Sequence, residues 1–131
     1  MKKLLWIAVL GLILSINNSF AKDLTGTKLL CSYDTQSMQR YTSIEFLNQS
    51  LAKLYKISTP SSWIIISEET KYKVTPNKIK LGSEYIDREK LTYGMFIKAN
   101  CEIRSKEWEP LIEMKSILKD LIKKQEKKNK I

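Results

Sequence analysis

Between Thr70 and Gly94 the chain reads TKYKVTPNKIKLGSEYIDREKLTYG, four short apolar-alternating runs divided by turn residues. Tyr72 and Val74 alternate with Lys71 and Lys73, and Ile79 and Leu81 with Lys78 and Lys80. Tyr85 and Ile86 follow Gly82-Ser83, and Leu91-Thr92-Tyr93 follows the polar corner Asp87-Arg88-Glu89. Successive side chains of a strand point to opposite faces, so period-two alternation marks a half-buried strand. With turn signals at this density the stretch predicts a tight antiparallel meander. This constraint organises the rest of the chain.

The same signature recurs upstream. Thr27 to Tyr33 places Leu29, Cys31 and Tyr33 on one face, with Leu30 an apolar exception on the other. Asp34 to Arg40 reads as a loop, Thr42 to Leu47 as a second strand with Ile44 and Phe46 inward, and Leu51 to Ile57 as a third. In the third strand the adjacent Leu54 and Tyr55 break the alternation. Trp63 to Ile66 is continuously apolar and β-branched at Ile64, Ile65 and Ile66, which favours a strand over a helix. Glu68-Glu69 reads as a turn into the meander. The closing strands run from Leu91 through Ile97 to Arg104, with Gly94 as a bulge and Met95, Ile97, Cys101 and Ile103 inward. The expected fold class is mainly β: an antiparallel meander forming a small barrel or half-barrel over residues 22–109.

The period then changes. From Pro110, Leu111, Ile112, Met114, Ile117, Leu118, Leu121 and Ile122 recur at offsets of three and four, one face of an amphipathic helix. Pro110 suits the first turn, Glu113 the positive end and the lysines the negative end. Asp120 and Lys124 stand one turn apart and can pair, a contact worth only tenths of a kcal/mol. The helix and its basic tail occupy residues 110–131.

The N-terminus adds a compartment. Lys2-Lys3 precede an apolar stretch of about 13 residues, and Ser19-Phe20-Ala21 offers small residues at a cleavage site. Residues 1–21 therefore read as a cleaved signal peptide, too short for a membrane span, and the product as periplasmic or secreted. Two cysteines remain, Cys31 in the first strand and Cys101 in the last. In an oxidising compartment such a pair is expected to form a disulfide joining the two ends of the sheet.

Without Lys2 and Lys3 the formal charge of +9 becomes +7, of which +4 lies in the tail, where Lys119, Lys123, Lys124, Lys127, Lys128 and Lys130 face only Asp120 and Glu126. Basic residues are not interleaved with aromatics across the fold, and together with export this argues against nucleic acid as a partner. The chain has no histidine, which removes the commonest general base and metal ligand, so neither a metal nor another cofactor is expected. Ser50 with Lys53 and Ser116 with Lys119 have Ser-x-x-Lys spacing, but no companion motif of a serine–lysine hydrolase accompanies them. Glu68-Glu69 and Asp87/Glu89 read as solvated charges. The expectation is a protein that is not an enzyme.

Strands GTKLLCSYD and IEFL, followed by the hairpins YKVTPNKIKL and YIDREKLTYG, resemble small secreted lipocalin-like domains of bacterial type. The resemblance covers Leu24 to Ile103, with Gly26-Thr27-Lys28 standing where lipocalins carry Gly-x-Trp. It implies an antiparallel barrel acting as a periplasmic binding or interaction module. Two readings of the aromatics stand side by side: core filling, or a pocket for an apolar ligand lined by Tyr55, Trp63, Tyr72 and Tyr93. The helix likewise has two. It covers one barrel opening with Leu111, Met114, Leu118 and Leu121, or it carries Lys119, Lys123, Lys124, Lys127 and Lys128 to an anionic membrane or an acidic envelope protein.

Overall fold

A computed structural model describes residues 24–128; the segment read as a signal peptide lies outside the described residues. Eight antiparallel strands follow one another around a closed barrel: β1 (Lys28–Asp34), β2 (Gln39–Phe46), β3 (Leu51–Thr59), β4 (Ser62–Val74), β5 (Lys78–Leu81), β6 (Glu84–Asp87), β7 (Thr92–Tyr93) and β8 (Ala99–Arg104). Each pairs with the next, and β8 returns to β1 with Cys31 opposite Cys101. The two cysteines form the expected disulfide across that seam. One helix, α1 (Pro110–Lys128), follows.

Alternation fills the cylinder. Leu29, Cys31, Ile44, Phe46, Leu54, Tyr72, Ile79, Leu81, Ile86 and Tyr93 form one buried cluster. Phe46 meets Tyr72 edge to face with ring centres 4.8 Å apart. At one end Leu24 packs against this cluster, and Gly26 N–H donates to Phe46 O at 2.8 Å. The turns there are held by their own side chains. Asn48 Oδ1 accepts from the backbone N–H groups of Ser50 and Leu51, Thr75 Oγ1 from Lys78 N–H, and Asp87 Oδ1 from Glu89 and Lys90 N–H. These bonds hold the Asp87 carboxyl below its ordinary range, the bond from Lys90 contributing most.

A second buried cluster sits on the outer wall. Leu30, Ile57, Met114 and Leu121 form its centre, with Tyr41, Tyr55, Trp63, Ile65, Trp108, Ile117 and Leu118 packed around them. The helix thus lies across β2, β3 and β4 instead of over a barrel opening, the covering role expected from the sequence. This explains the breaks in alternation: Leu30 beside Cys31 and Tyr55 beside Leu54 are apolar on both faces because both faces are covered. The connection is anchored at both ends. Lys28 Nζ donates to the carbonyls of Lys106 and Trp108 at 2.7 and 2.8 Å. Glu113 accepts from Trp108 Nε1 and, at 3.3 Å, from Arg104.

Several sequence expectations are corrected. Glu68-Glu69 is no turn, because β4 runs unbroken from Ser62 to Val74. The segment 34–40 is shorter as a loop than expected, since β2 begins at Gln39. Leu91 to Arg104 is two strands joined by a turn at Gly94, whose φ is 121°; Met95 and Ile103 are exposed rather than inward. Asp120 and Lys124 do not form an ion pair.

The wall is uneven. Strands β1 to β4 are seven to thirteen residues long, whereas β5 and β6 have four each and β7 two. The long wall therefore stands above the short one, and the barrel is open at the end where β4 begins.

Candidate functional site

The open end is built from inward-facing positions that have run past the hydrophobic core. On β3, Lys56 stands opposite Thr42 and Ile66, two steps beyond Leu54. Lys56 pairs with Glu68 of β4, Nζ to Oε1 2.7 Å. Across the mouth Glu84 opens β6 and Tyr93 closes β7, and the Tyr93 hydroxyl donates to Glu84. Two hollows share these groups. One of about 130 Å³ adds Tyr33, Arg40 and Ile97; the other, of about 230 Å³, adds Glu68, Gly82 and Ser83.

The electrostatics follow from the burial. Tyr93 is buried, which raises its phenol pKa strongly, and the charge of Glu84, the bond to Glu84 and the charge of Glu68 push the same way. It remains a hydrogen-bond donor at neutral pH. The mouth therefore offers donors and acceptors of both signs within a shallow space. Below it, Ile44, Phe46, Leu54 and Ile86 have essentially no surface that water can reach, so the interior is a packed core.

Above the mouth one strand edge is bare. The ladder of β4 with β3 runs from Leu51↔Lys71 to Ser58↔Ser62, but its ladder with β5 covers only Tyr72 to Val74. Among the described residues, Ser62 to Lys71 thus have a partner strand on one side alone. On the inward-facing side of that stretch Ile64 and Ile66 are 62% and 47% exposed. The β7–β8 turn at the same end carries Phe96, 92% exposed. Glu68 and Glu69 continue the edge with negative charge.

The four aromatics read as a pocket do not share one. Tyr72 lies in the packed interior, its hydroxyl donating to Asn48 O, and Tyr93 lines the mouth. Tyr55 and Trp63 are on the outside of the wall, under α1. The lysines of the helix also divide. Lys119 and Lys123 flank Ile122 on its outer side, while Lys124, Lys127 and Lys128 border a groove floored by Trp63 and Leu121. Ser50 Oγ is bonded to Asn48 Oδ1 in its turn, and Ser116 and Lys119 are exposed on the helix.

The groups the sequence did not single out are Lys56, Glu84, Arg40 and the bare edge. Lys56 and Glu84 look like ordinary solvent-facing charges in a linear reading. The signal for the edge was present as the mismatch between a long WIIISEETKYKV run and the short hairpins after it.

Comparison with protein-family models, curated proteins and solved structures finds no match to this chain. Among the described residues, no group of three or more His, Cys, Asp or Glu side chains is placed to hold a metal ion. No helix of the described residues is long and apolar enough to cross a membrane.

Proposed function

We propose that this is an exported, non-enzymatic interaction module of lipocalin-like build that takes an extended segment of another protein along the free edge of β4. The observation that carries the reading is the bare stretch Ser62–Lys71 with Ile64 and Ile66 exposed beside it. Strand edges are ordinarily shortened, charged, bulged or covered, because unpaired N–H and C=O groups recruit another strand. Here the first half of the edge is neither shortened, charged nor covered, although its pairing with β3 carries a bulge between Lys56 and Ser58. An added strand would continue the long wall over the mouth, placing alternate side chains against Ile64, Ile66 and Phe96. Glu69, exposed next to the Lys56-paired Glu68, favours a basic residue at one end of that segment. The leader-like N-terminus and the disulfide support an oxidising compartment for this encounter.

The test is selection from a library of ten-residue peptides with alternating apolar positions, read by amide hydrogen exchange of the protein. Selected peptides are expected to slow exchange in Ser62–Lys71 and to lose binding to the double variant Ile64→Lys/Ile66→Lys. Both sites are exposed, so the fold should survive the change. Peptides that bind the variant equally well, or protect another strand, would discard the edge.

A second reading rests on the outer face of α1, where Ile112 is 64% exposed among Lys115, Lys119 and Lys123. An apolar residue in a lysine field suits an anionic bilayer surface. Co-sedimentation with phosphatidylglycerol vesicles, lost in Ile112→Glu, would favour it over the edge.

A further inference from the structure

On the opposite side of β4 from Ile64 and Ile66, the helix and the barrel loops enclose a groove of about 430 Å³. Its floor is Trp63, Pro60 and Leu121, and its border is Lys124, Lys127 and Lys128. We propose that this groove is a binding site for a small amphiphilic anion: one phosphate or carboxylate head on an apolar ring or short chain.

The two halves of the groove ask for the two halves of that ligand. Trp63 belongs to the apolar cluster under the helix, yet it is only partly covered, and its free surface opens into the groove. An indole with exposed face beside apolar neighbours is a stacking surface for a ring or chain. The three lysines come from successive turns of the helix and converge on the same space. Among the described residues none of them is ion-paired, and Asp120, one turn from Lys124, leaves it free. The carboxylate nearest to hand, Asp34, already accepts from Tyr41 OH at 2.8 Å. The groove lining thus sets three lysines against the single carboxylate of Asp34, and the excess charge is positive. These lysines also crowd the C-terminal end of the helix, where cations are favoured, so they cost the fold little. The volume lies within the span of sites for small molecules and is too small for a folded domain.

The experiment uses the disulfide-intact protein and monomeric decyl phosphate below its micellisation limit, with binding followed through the Trp63 indole N–H resonance. A saturable shift of that resonance is expected, with no comparable shift from neutral decyl maltoside. The triple variant Lys124→Gln/Lys127→Gln/Lys128→Gln alters only exposed side chains and should fold. It should weaken binding by about tenfold or more, since each charge-assisted contact is lost. The pair Lys119→Gln/Lys123→Gln, on the other face of the helix, should leave binding unchanged. Equal affinity of the triple variant, an equal response to the maltoside, or no shift of Trp63 at all would overturn the assignment. Binding to phosphatidylglycerol vesicles without any response to monomeric decyl phosphate would overturn it too, in favour of a bilayer surface.

Discussion

Cys31 and Cys101 stand directly opposite each other at the one seam where the last strand of the barrel meets the first, their Cα atoms 3.9 Å apart. Every other strand pair in the barrel joins neighbours along the chain, so it closes through a short connection. The β1–β8 pair alone must bring together residues 70 positions apart. The disulfide holds the barrel closed at the place where loop entropy opposes it most.

The double variant Cys31→Ser/Cys101→Ser is therefore expected to lose about 4 kcal/mol by loop-closure entropy, measured from urea unfolding curves. A loss below about 1 kcal/mol would mean that side-chain packing alone secures the seam.

Met114 is fully buried between α1 and the outer wall. Met114→Ala should cost about 2–5 kcal/mol, whereas Ile112→Ser, on the exposed side of the same helix, should stay within about 0.5 kcal/mol. Thermal melts of the two variants check the contrast. Equal effects would place the helix elsewhere than on β2–β4.

Two phenols set the alkaline limit. Burial, then the hydrogen bond and charge of Asp34, push Tyr41 up from 10.0 to about 12, and burial with Glu84 raises Tyr93 further. A raised folded-state pKa means that above the unfolded value the native state binds more protons than the unfolded chain. Stability from these groups is thus complete below pH 10 and falls as pH rises from 10 towards 12. Tyr93→Phe should flatten that fall, as followed by unfolding at stepped pH. An unchanged slope would show that Tyr93 does not titrate with unfolding.

Gly94 has φ 121°, and a Cβ there would collide with the backbone carbonyl of Ile97. Gly94→Ala should cost about 1–3 kcal/mol and displace the turn carrying Phe96. Gly26→Ala, where a Cβ meets nothing within 4 Å, should cost less. Denaturation midpoints of the pair decide it.

Much of this architecture is written locally. Alternation along Leu29–Cys31–Tyr33 and Tyr72–Val74 gives strands because a strand has two faces and only one faces the core. The three-and-four spacing of Met114, Ile117, Leu118 and Leu121 gives a helix for the corresponding reason. The same pattern also misled. An inward residue is a buried one only where the neighbouring strands are long enough to cover it. Ile103 has the parity of Cys101 but is 68% exposed, because β7 begins only at Thr92, opposite Asn100, and does not reach it. Ile64 and Ile66 escape burial on β4 in the same way.

The order of residues thus determined by itself that the chain forms short antiparallel strands, a terminal amphipathic helix and a pair of cysteines near the ends of the sheet. Backbone geometry and side-chain parity are properties of neighbours in sequence. Tertiary structure alone decided that the helix rests on the outer wall, that Trp63 shares a groove with Lys124, Lys127 and Lys128, and that β4 keeps a bare edge. Those outcomes depend on strand lengths set against one another across space, and no local period encodes them.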